Sequence, residues 1–162
     1  MRYLSGALAL TLALVATTFA QQDPFSGTWK LNVAKSTMQP ATASKSEILI
    51  LKVTGDEETV STEAVTADGS REVMKYTARY DGKVYPGSTT ITGKSVQAQK
   101  MNVVLRKIDA KTRERLSMDG GKVTMRARRA LSEDGKILTS TILGIGADGK
   151  EVVREIRVFE RQ

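Results

Sequence analysis

Apolar and polar residues alternate along much of this chain, with a period of two. In residues 72–80, for example, Met74, Tyr76, Ala78 and Tyr80 fall on one face of an extended segment. This alternation is typical of half-buried β-strands, and no segment after the first twenty residues has a clear helical period. The pattern predicts nine strands, at residues 28–33, 47–54, 58–66, 72–80, 101–108, 112–118, 122–131, 137–145 and 151–160.

Asp-Gly pairs separate many of these segments. They occur five times, at Asp68-Gly69, Asp81-Gly82, Asp119-Gly120, Asp134-Gly135 and Asp148-Gly149. Asp-Gly favours the positive φ angles that tight hairpins require. Residues 34–45, with Pro40, and Tyr85-Pro86-Gly87 are interpreted as a loop and a strand-end turn. An internal repeat is an alternative, although the segments between the turns share no other motif.

Short strands with regularly spaced turns predict an antiparallel barrel or sandwich. About nine strands with one apolar face leave open edges unless the sheet closes on itself. We therefore expect an all-β fold, a single antiparallel up-and-down β-barrel of about 8–10 strands, with a two-sheet sandwich as the alternative. A barrel of that size has room for one small ligand.

The first twenty residues resemble an export signal rather than part of the barrel. Met1-Arg2 precedes an apolar run at residues 4–15, and Thr18-Phe19-Ala20 places small residues at a cleavage site. This arrangement predicts a signal peptide at 1–20 and a barrel domain at 21–162. An uncleaved membrane anchor is the alternative, but about 20 apolar residues are needed to span a bilayer. We expect no stable membrane insertion of the mature chain.

Composition excludes several kinds of catalytic site. The sequence contains no cysteine and no histidine, so Cys nucleophiles, Cys/His zinc sites and histidine bases are absent. We expect no catalytic residues, no cofactor and no metal. The formal net charge is +7, with charges interspersed. Arginines cluster at Arg113, Arg115, Arg126, Arg128 and Arg129, but without interleaved aromatics we interpret the cluster as a solvated wall rather than a nucleic-acid site.

Two terminal motifs resemble those of calycin barrels. Gly27-Thr28-Trp29-Lys30-Leu31 is similar to the opening of the fatty-acid-binding branch and of lipocalins, and residues 156–161 are similar to that branch's last strand. There an Arg-x-Tyr pair binds a carboxylate, and Arg157 matches the arginine whereas Phe159 replaces the tyrosine. The chain also resembles bacterial exported lipocalin-like proteins in residues 27–36, 80–86 and 159–162. The resemblance implies a periplasmic or extracellular location.

The resemblance gives Arg157 two alternative roles. In lipocalins a late arginine packs over the first-strand tryptophan, so Gly27, Trp29 and Arg157 would close one end of the barrel. Alternatively, Arg157 faces the cavity and binds an anionic ligand. The alternation of the last strand leaves both open. Apolar content favours Val152, Ile156 and Val158 as the inward face, which would turn Arg157 outward.

Tyrosine and methionine side chains complete the candidate ligand site, although core packing is the alternative role for each. Tyr76, Tyr80 and Tyr85 combine apolar area with a hydroxyl, and methionines can line an adaptable pocket. The candidate ligand-binding residues are Arg157, Phe159, Tyr76, Tyr80, Tyr85, Met74 and Met125. The expected function is exported binding of a small apolar or amphipathic anion. The alternative is a non-catalytic interaction module with a filled barrel, and the oligomeric state is open.

Overall fold

The chain forms a closed barrel of ten antiparallel strands. The computed structural model describes residues 22–93, 96–146 and 148–162, so the predicted signal peptide lies outside the described residues. The strands are β1 (Gly27–Leu31), β2 (Ser44–Thr54), β3 (Glu57–Thr66), β4 (Arg71–Arg79), β5 (Tyr85–Thr92), β6 (Val96–Lys107), β7 (Thr112–Asp119), β8 (Lys122–Leu131), β9 (Ile137–Ile145) and β10 (Glu151–Arg161). A short 3₁₀ helix, Val33–Lys35, follows β1.

Each strand pairs with its neighbours in sequence, and the first strand pairs with the last. β1 aligns with β10 through Trp29 opposite Arg161 and Leu31 opposite Phe159. The sheet therefore has no free edge along its main ladder, which removes the hazard of unpaired backbone groups. The predicted all-β, up-and-down barrel is confirmed, and the two-sheet sandwich is not the architecture.

The structure contains one strand that the turn pattern did not predict. Tyr85-Pro86-Gly87 was expected to be a turn, but it begins β5. Pro86 pairs with Asn102 of β6. It lies outside the part of β5 that pairs with β4, so the N–H that proline lacks is not needed for a hydrogen bond to β4. A Cβ on Gly87 would lie 2.9 Å from the side chain of Met101 and 3.1 Å from the carbonyl of Lys75. This glycine permits close strand packing rather than a turn.

One end of the barrel is closed by aromatic side chains. Phe25 and Trp29 are fully buried, and the indole Nε1 of Trp29 donates to the carbonyl of Phe25 at 3.0 Å. The hydroxyl of Ser26 accepts from the backbone N–H of Val53, which fixes the segment before β1 to β2. The apolar core lies at this end and includes Leu31, Leu51, Val53, Val103, Leu105, Leu131, Leu138 and Phe159.

Arg161, rather than Arg157, lies over the closing tryptophan. Its guanidinium carbon is 4.1 Å from the centre of the Trp29 ring, and its N–H groups donate to the carbonyls of Ser26 at 2.7 Å and Gly135 at 2.9 Å. A Cβ on Gly27 would lie 2.5 Å from that guanidinium, so the glycine of the Gly-x-Trp motif makes room for the arginine. The predicted contact between Trp29 and Arg157 is wrong, because the register pairs Trp29 with Arg161.

The inward face of β10 is the one with lower apolar content. Glu155 and Phe159 are buried, whereas Val152 is 55% exposed and Ile156 is 36% exposed. The prediction from apolar content is therefore wrong. It assumed that the inward face carries the more apolar side chains. The charged residues on this face are instead paired inside the barrel, as Arg157 is with Glu155 at 2.7 Å. A register shift between Val153 and Glu155 marks a β-bulge near the start of the strand.

We expect Arg161→Ala to lower the free energy of unfolding by about 2 kcal/mol, because a stacked guanidinium and its hydrogen bonds to backbone carbonyls are lost together. Urea unfolding followed by the fluorescence of Trp29 measures this change. Lys30→Ala is the matched control, since Lys30 neighbours Trp29 but is exposed on the outer face. Equal stability of the two variants would show that Arg161 does not hold the closed end.

Candidate functional site

A cavity of about 730 Å³ occupies the half of the barrel opposite Trp29. Its floor is formed by Val60, Phe159 and Arg129, which border the apolar core. Its upper wall and rim come from the loop before β2 and from the turn between β3 and β4. The apolar lining comprises Leu49, Val60, Ala64, Met74, Ile91, Met125, Ala127, Ile142 and Phe159. Hydroxyl and charged groups lie between these side chains, so the cavity suits a ligand that is mostly apolar with a few polar atoms.

The structure brings four of the predicted ligand-site residues to this cavity. Met74, Met125, Arg157 and Phe159 line it. The three tyrosines are not among the described residues that line it. Tyr76 and Tyr80 lie beneath the floor, bonded to Glu58, and Tyr85 lies at the closed end with its hydroxyl donating to Asp81 at 2.8 Å.

Glu58 is the centre of a hydrogen-bond network beneath the floor. It is fully buried and accepts from the Tyr76 hydroxyl at 2.8 Å, from Nη1 of Arg129 at 3.0 Å and from the Tyr80 hydroxyl. Burial alone raises the pKa of Glu58, but the charge of Arg129 and these hydrogen bonds outweigh it and hold the pKa below 4.5. The carboxylate is thus ionised although it lies in the barrel interior.

The partners of Glu58 are fixed in their protonated forms. Burial, together with the neighbouring carboxylate, raises the pKa of both Tyr76 and Tyr80. Burial lowers the pKa of Arg129, but the charge of Glu58 more than offsets this and the pKa is raised. At neutral pH the two tyrosines are therefore hydroxyl donors and Arg129 is a cation, which gives the Glu58–Arg129 pair no net charge.

Arg113 connects this network to the closed end. Its Nη1 donates to the Tyr80 hydroxyl at 3.2 Å, and its Nη2 donates to Asp23 at 2.6 Å. Its guanidinium also lies 4.1 Å from the centre of the Phe25 ring. Arg113 therefore links the segment before β1 to the hydrogen-bond network of Glu58.

Arg157 binds a segment of chain that crosses the open end. Residues 36–43, which we call the strap, are joined to β10 by reciprocal backbone bonds between Thr37 and Ile156 at 2.8 Å. Nη2 of Arg157 donates to the Thr42 carbonyl at 3.2 Å, while Nη1 and Nε bind Glu47 and Glu155. Burial raises the pKa of Glu47 even though Arg157 opposes that effect. Arg157 is thus shared between two carboxylates and the strap.

Arg115 also lines the cavity, but it has no acidic partner. It is 6% exposed, and within residues 22–93, 96–146 and 148–162 it forms no ion pair. Its Nη1 donates to the thioether sulfur of Met74 at 3.6 Å, and its guanidinium lies 6.0 Å from the centre of the Tyr76 ring. Burial lowers the pKa of Arg115 from its ordinary value. A buried cation with such weak partners is uncommon in proteins.

The arginine cluster interpreted as a solvated wall is only partly on the wall. Arg126 and Arg128 lie outside and bind the buried carboxylate of Glu114 at 2.8 and 3.3 Å. Arg113, Arg115 and Arg129 instead point inward, which corrects the interpretation of the cluster. The period of two contained the signal, because Arg129 shares a face with the inward residues 125 and 127. The inward position of Arg129 was not predicted, because interior side chains were expected to be apolar.

A comparison with protein-family models and with curated proteins finds no match to this sequence. The closed ten-strand antiparallel barrel is compatible with a calycin-like fold. In the described part of the chain, no group of acidic side chains is arranged to hold a metal ion. Among the same residues there is no helix long and apolar enough to cross a membrane.

We expect Glu58→Gln to lower the free energy of unfolding at pH 7 by about 3 kcal/mol, since Arg129 then carries an uncompensated buried charge. The pKa of Glu58 is lower in the folded protein than its ordinary 4.5. Its stabilisation is therefore complete above pH 4.5 and is lost as the pH falls through the lower folded value. Denaturant unfolding at a series of pH values tests this.

Glu57→Gln is the control for that series, because Glu57 is exposed on the same strand. The difference between the two variants should shrink as the solution is acidified below pH 4.5. A difference that stays constant from neutral to acidic pH would contradict an ionised Glu58 in the folded barrel.

Proposed function

We propose that this chain is an exported lipocalin-like protein that binds a small apolar or amphipathic anion inside its barrel. The observation that carries the proposal is the cavity of about 730 Å³, which has Val60, Phe159 and Arg129 as its floor and is bordered by the strap at the open end. Ligand pockets in proteins have volumes of roughly 300–1,000 Å³, so the space suits one ligand of moderate size.

The lining supports an amphipathic ligand. The apolar side chains come from strands around the barrel, and two of them, Met74 and Met125, can adapt to ligands of different shape. Inward arginines supply positive charge near the floor. An apolar chain could thus pack against the wall while an acidic group meets a guanidinium.

A non-catalytic interaction module with a filled barrel is the alternative function. That alternative requires side chains to fill the interior, and the open volume above Phe159 therefore favours ligand binding. The predicted export signal at residues 1–20 supports the exported part of the proposal, and the end motifs Gly-x-Trp and Arg157-x-Phe159 support the lipocalin-like part.

We expect Ala127→Phe to weaken ligand binding at least tenfold, because Ala127 lines the cavity and a benzyl group would fill the ligand's space. Binding is measured by titration calorimetry with a panel of fatty acids and by native mass spectrometry after gentle purification. Trp29 is a poor reporter, since it lies beneath the floor. Ala130→Phe is the control, because Ala130 lies on the same strand but is exposed.

Binding that is equally weakened by both substitutions, or by neither, would place the ligand outside the cavity. A wild-type protein that carries no bound mass and binds no member of the panel would contradict the binding function itself. The filled-barrel module would then be the better explanation.

A further inference from the structure

We infer that Arg115 holds the single negatively charged head group of the ligand near the cavity floor, and that Arg157 fastens the strap. This inference rests on the proposed binding function and specifies its ligand class. It moves the anion site away from the last strand, where the resemblance to fatty-acid-binding barrels placed it.

Four arginines of the described residues line the cavity: Arg115, Arg129, Arg154 and Arg157. Arg129 is paired with Glu58 at 3.0 Å, and Arg157 is shared between Glu47 and Glu155. Arg154 reaches the rim, where it is exposed to water. Among these four arginines, Arg115 alone is buried and forms no ion pair with a carboxylate of the described residues.

Arg115 keeps hydrogen-bond donors that have no strong acceptor among the described residues. A guanidinium has five N–H donors, and the contacts of Arg115 are a thioether sulfur at 3.6 Å and a ring centre at 6.0 Å. Both are weak partners for a cation. A carboxylate is the group that a guanidinium binds most specifically, through two parallel hydrogen bonds. An anionic ligand would thus supply the partner that the protein lacks.

The charges around the floor indicate how many charges the ligand carries. Arg115, Arg129 and Glu58 together carry one net positive charge, because Tyr76 and Tyr80 stay neutral. A ligand with one negative charge, such as a carboxylate, balances this positive charge. A dianionic phosphate monoester would leave one negative charge uncompensated. Glu47 and Glu155, both buried at the open end, would repel a second anionic group there.

The ligand orientation follows from these positions. The head group lies near the floor, and an uncharged tail extends past Met125 and Ile142 toward the strap. Arg157 is engaged by Glu47, Glu155 and the Thr42 carbonyl, so it holds the strap rather than the ligand.

Three probes of one chain length test the inference: dodecanoic acid, 1-dodecanol and monododecyl phosphate. Titration calorimetry is performed on the mature chain and on Arg115→Met, which removes the charge with little loss of volume. We expect the wild type to prefer dodecanoic acid, and Arg115→Met to bind it about 10- to 100-fold more weakly while binding dodecanol within about threefold of wild type. Arg115→Lys should retain part of the preference.

Arg157→Met is the matched comparison, because it removes a second inward guanidinium. Its effect should be similar for dodecanoic acid and dodecanol, since a loosened strap affects any ligand. Thermal unfolding gives an independent result: ligand-free Arg115→Met should melt about 4 °C or more above wild type, because an unpaired buried charge is gone. The Arg115→Lys variant keeps the experiment informative if Arg115→Met does not fold.

The outcomes separate the inference from the proposed function. A wild-type preference for dodecanoic acid that survives in Arg115→Met, or that is abolished by Arg157→Met alone, would overturn the inference and leave ligand binding intact. A stronger affinity for monododecyl phosphate would overturn the single-charge requirement. Failure of the wild type to bind every probe, with no bound mass in native mass spectrometry, would contradict ligand binding and the inference together.

Discussion

The ion pair between Glu58 and Arg129, buried inside a closed barrel, is the interaction on which the rest of the interior depends. Each ion would be expensive to bury alone, so both must be fully hydrogen-bonded. Tyr76 and Tyr80 complete the shell around the carboxylate, and Arg113 extends the same network to the segment that closes the barrel. The network divides the interior into an apolar core on one side and a polar-rimmed cavity on the other.

Much of the fold could be predicted because sheet geometry imposes a period of two on the sequence. The face of β4 that carries Met74, Tyr76 and Ala78 was predicted correctly, since its inward residues are apolar or aromatic. β5 was missed because Pro86 and Gly87 are turn residues in isolation, and only the close approach of β4 and β6 explains them. Such an approach is a property of neighbouring strands and is invisible in a local pattern.

The charged part of the interior could not be predicted from apolar content. β10 presents Glu155 and Arg157 inward and leaves Val152 and Ile156 exposed, because Arg157 pairs with Glu155 on its own strand and with Glu47 on β2. Glu47 and Arg157 are 110 residues apart in sequence, and Arg129 and Glu58 are 71 apart. A pattern within one strand contains no information about a partner at that distance. The same limit concealed Arg115, which is buried in the barrel and forms no ion pair within the described residues.

The register between β1 and β10 also determines when the barrel can form. Arg161 bonds to Ser26 across 135 residues of sequence, and the strap bonds to the same last strand. Contacts at such separation must overcome the entropy of closing nearly the whole chain as one loop. The hairpins can assemble one by one, but both ends of the barrel stay open until β10 docks. Closure of the end at Trp29 and attachment of the strap at the open end are therefore expected to be one late and cooperative event in folding.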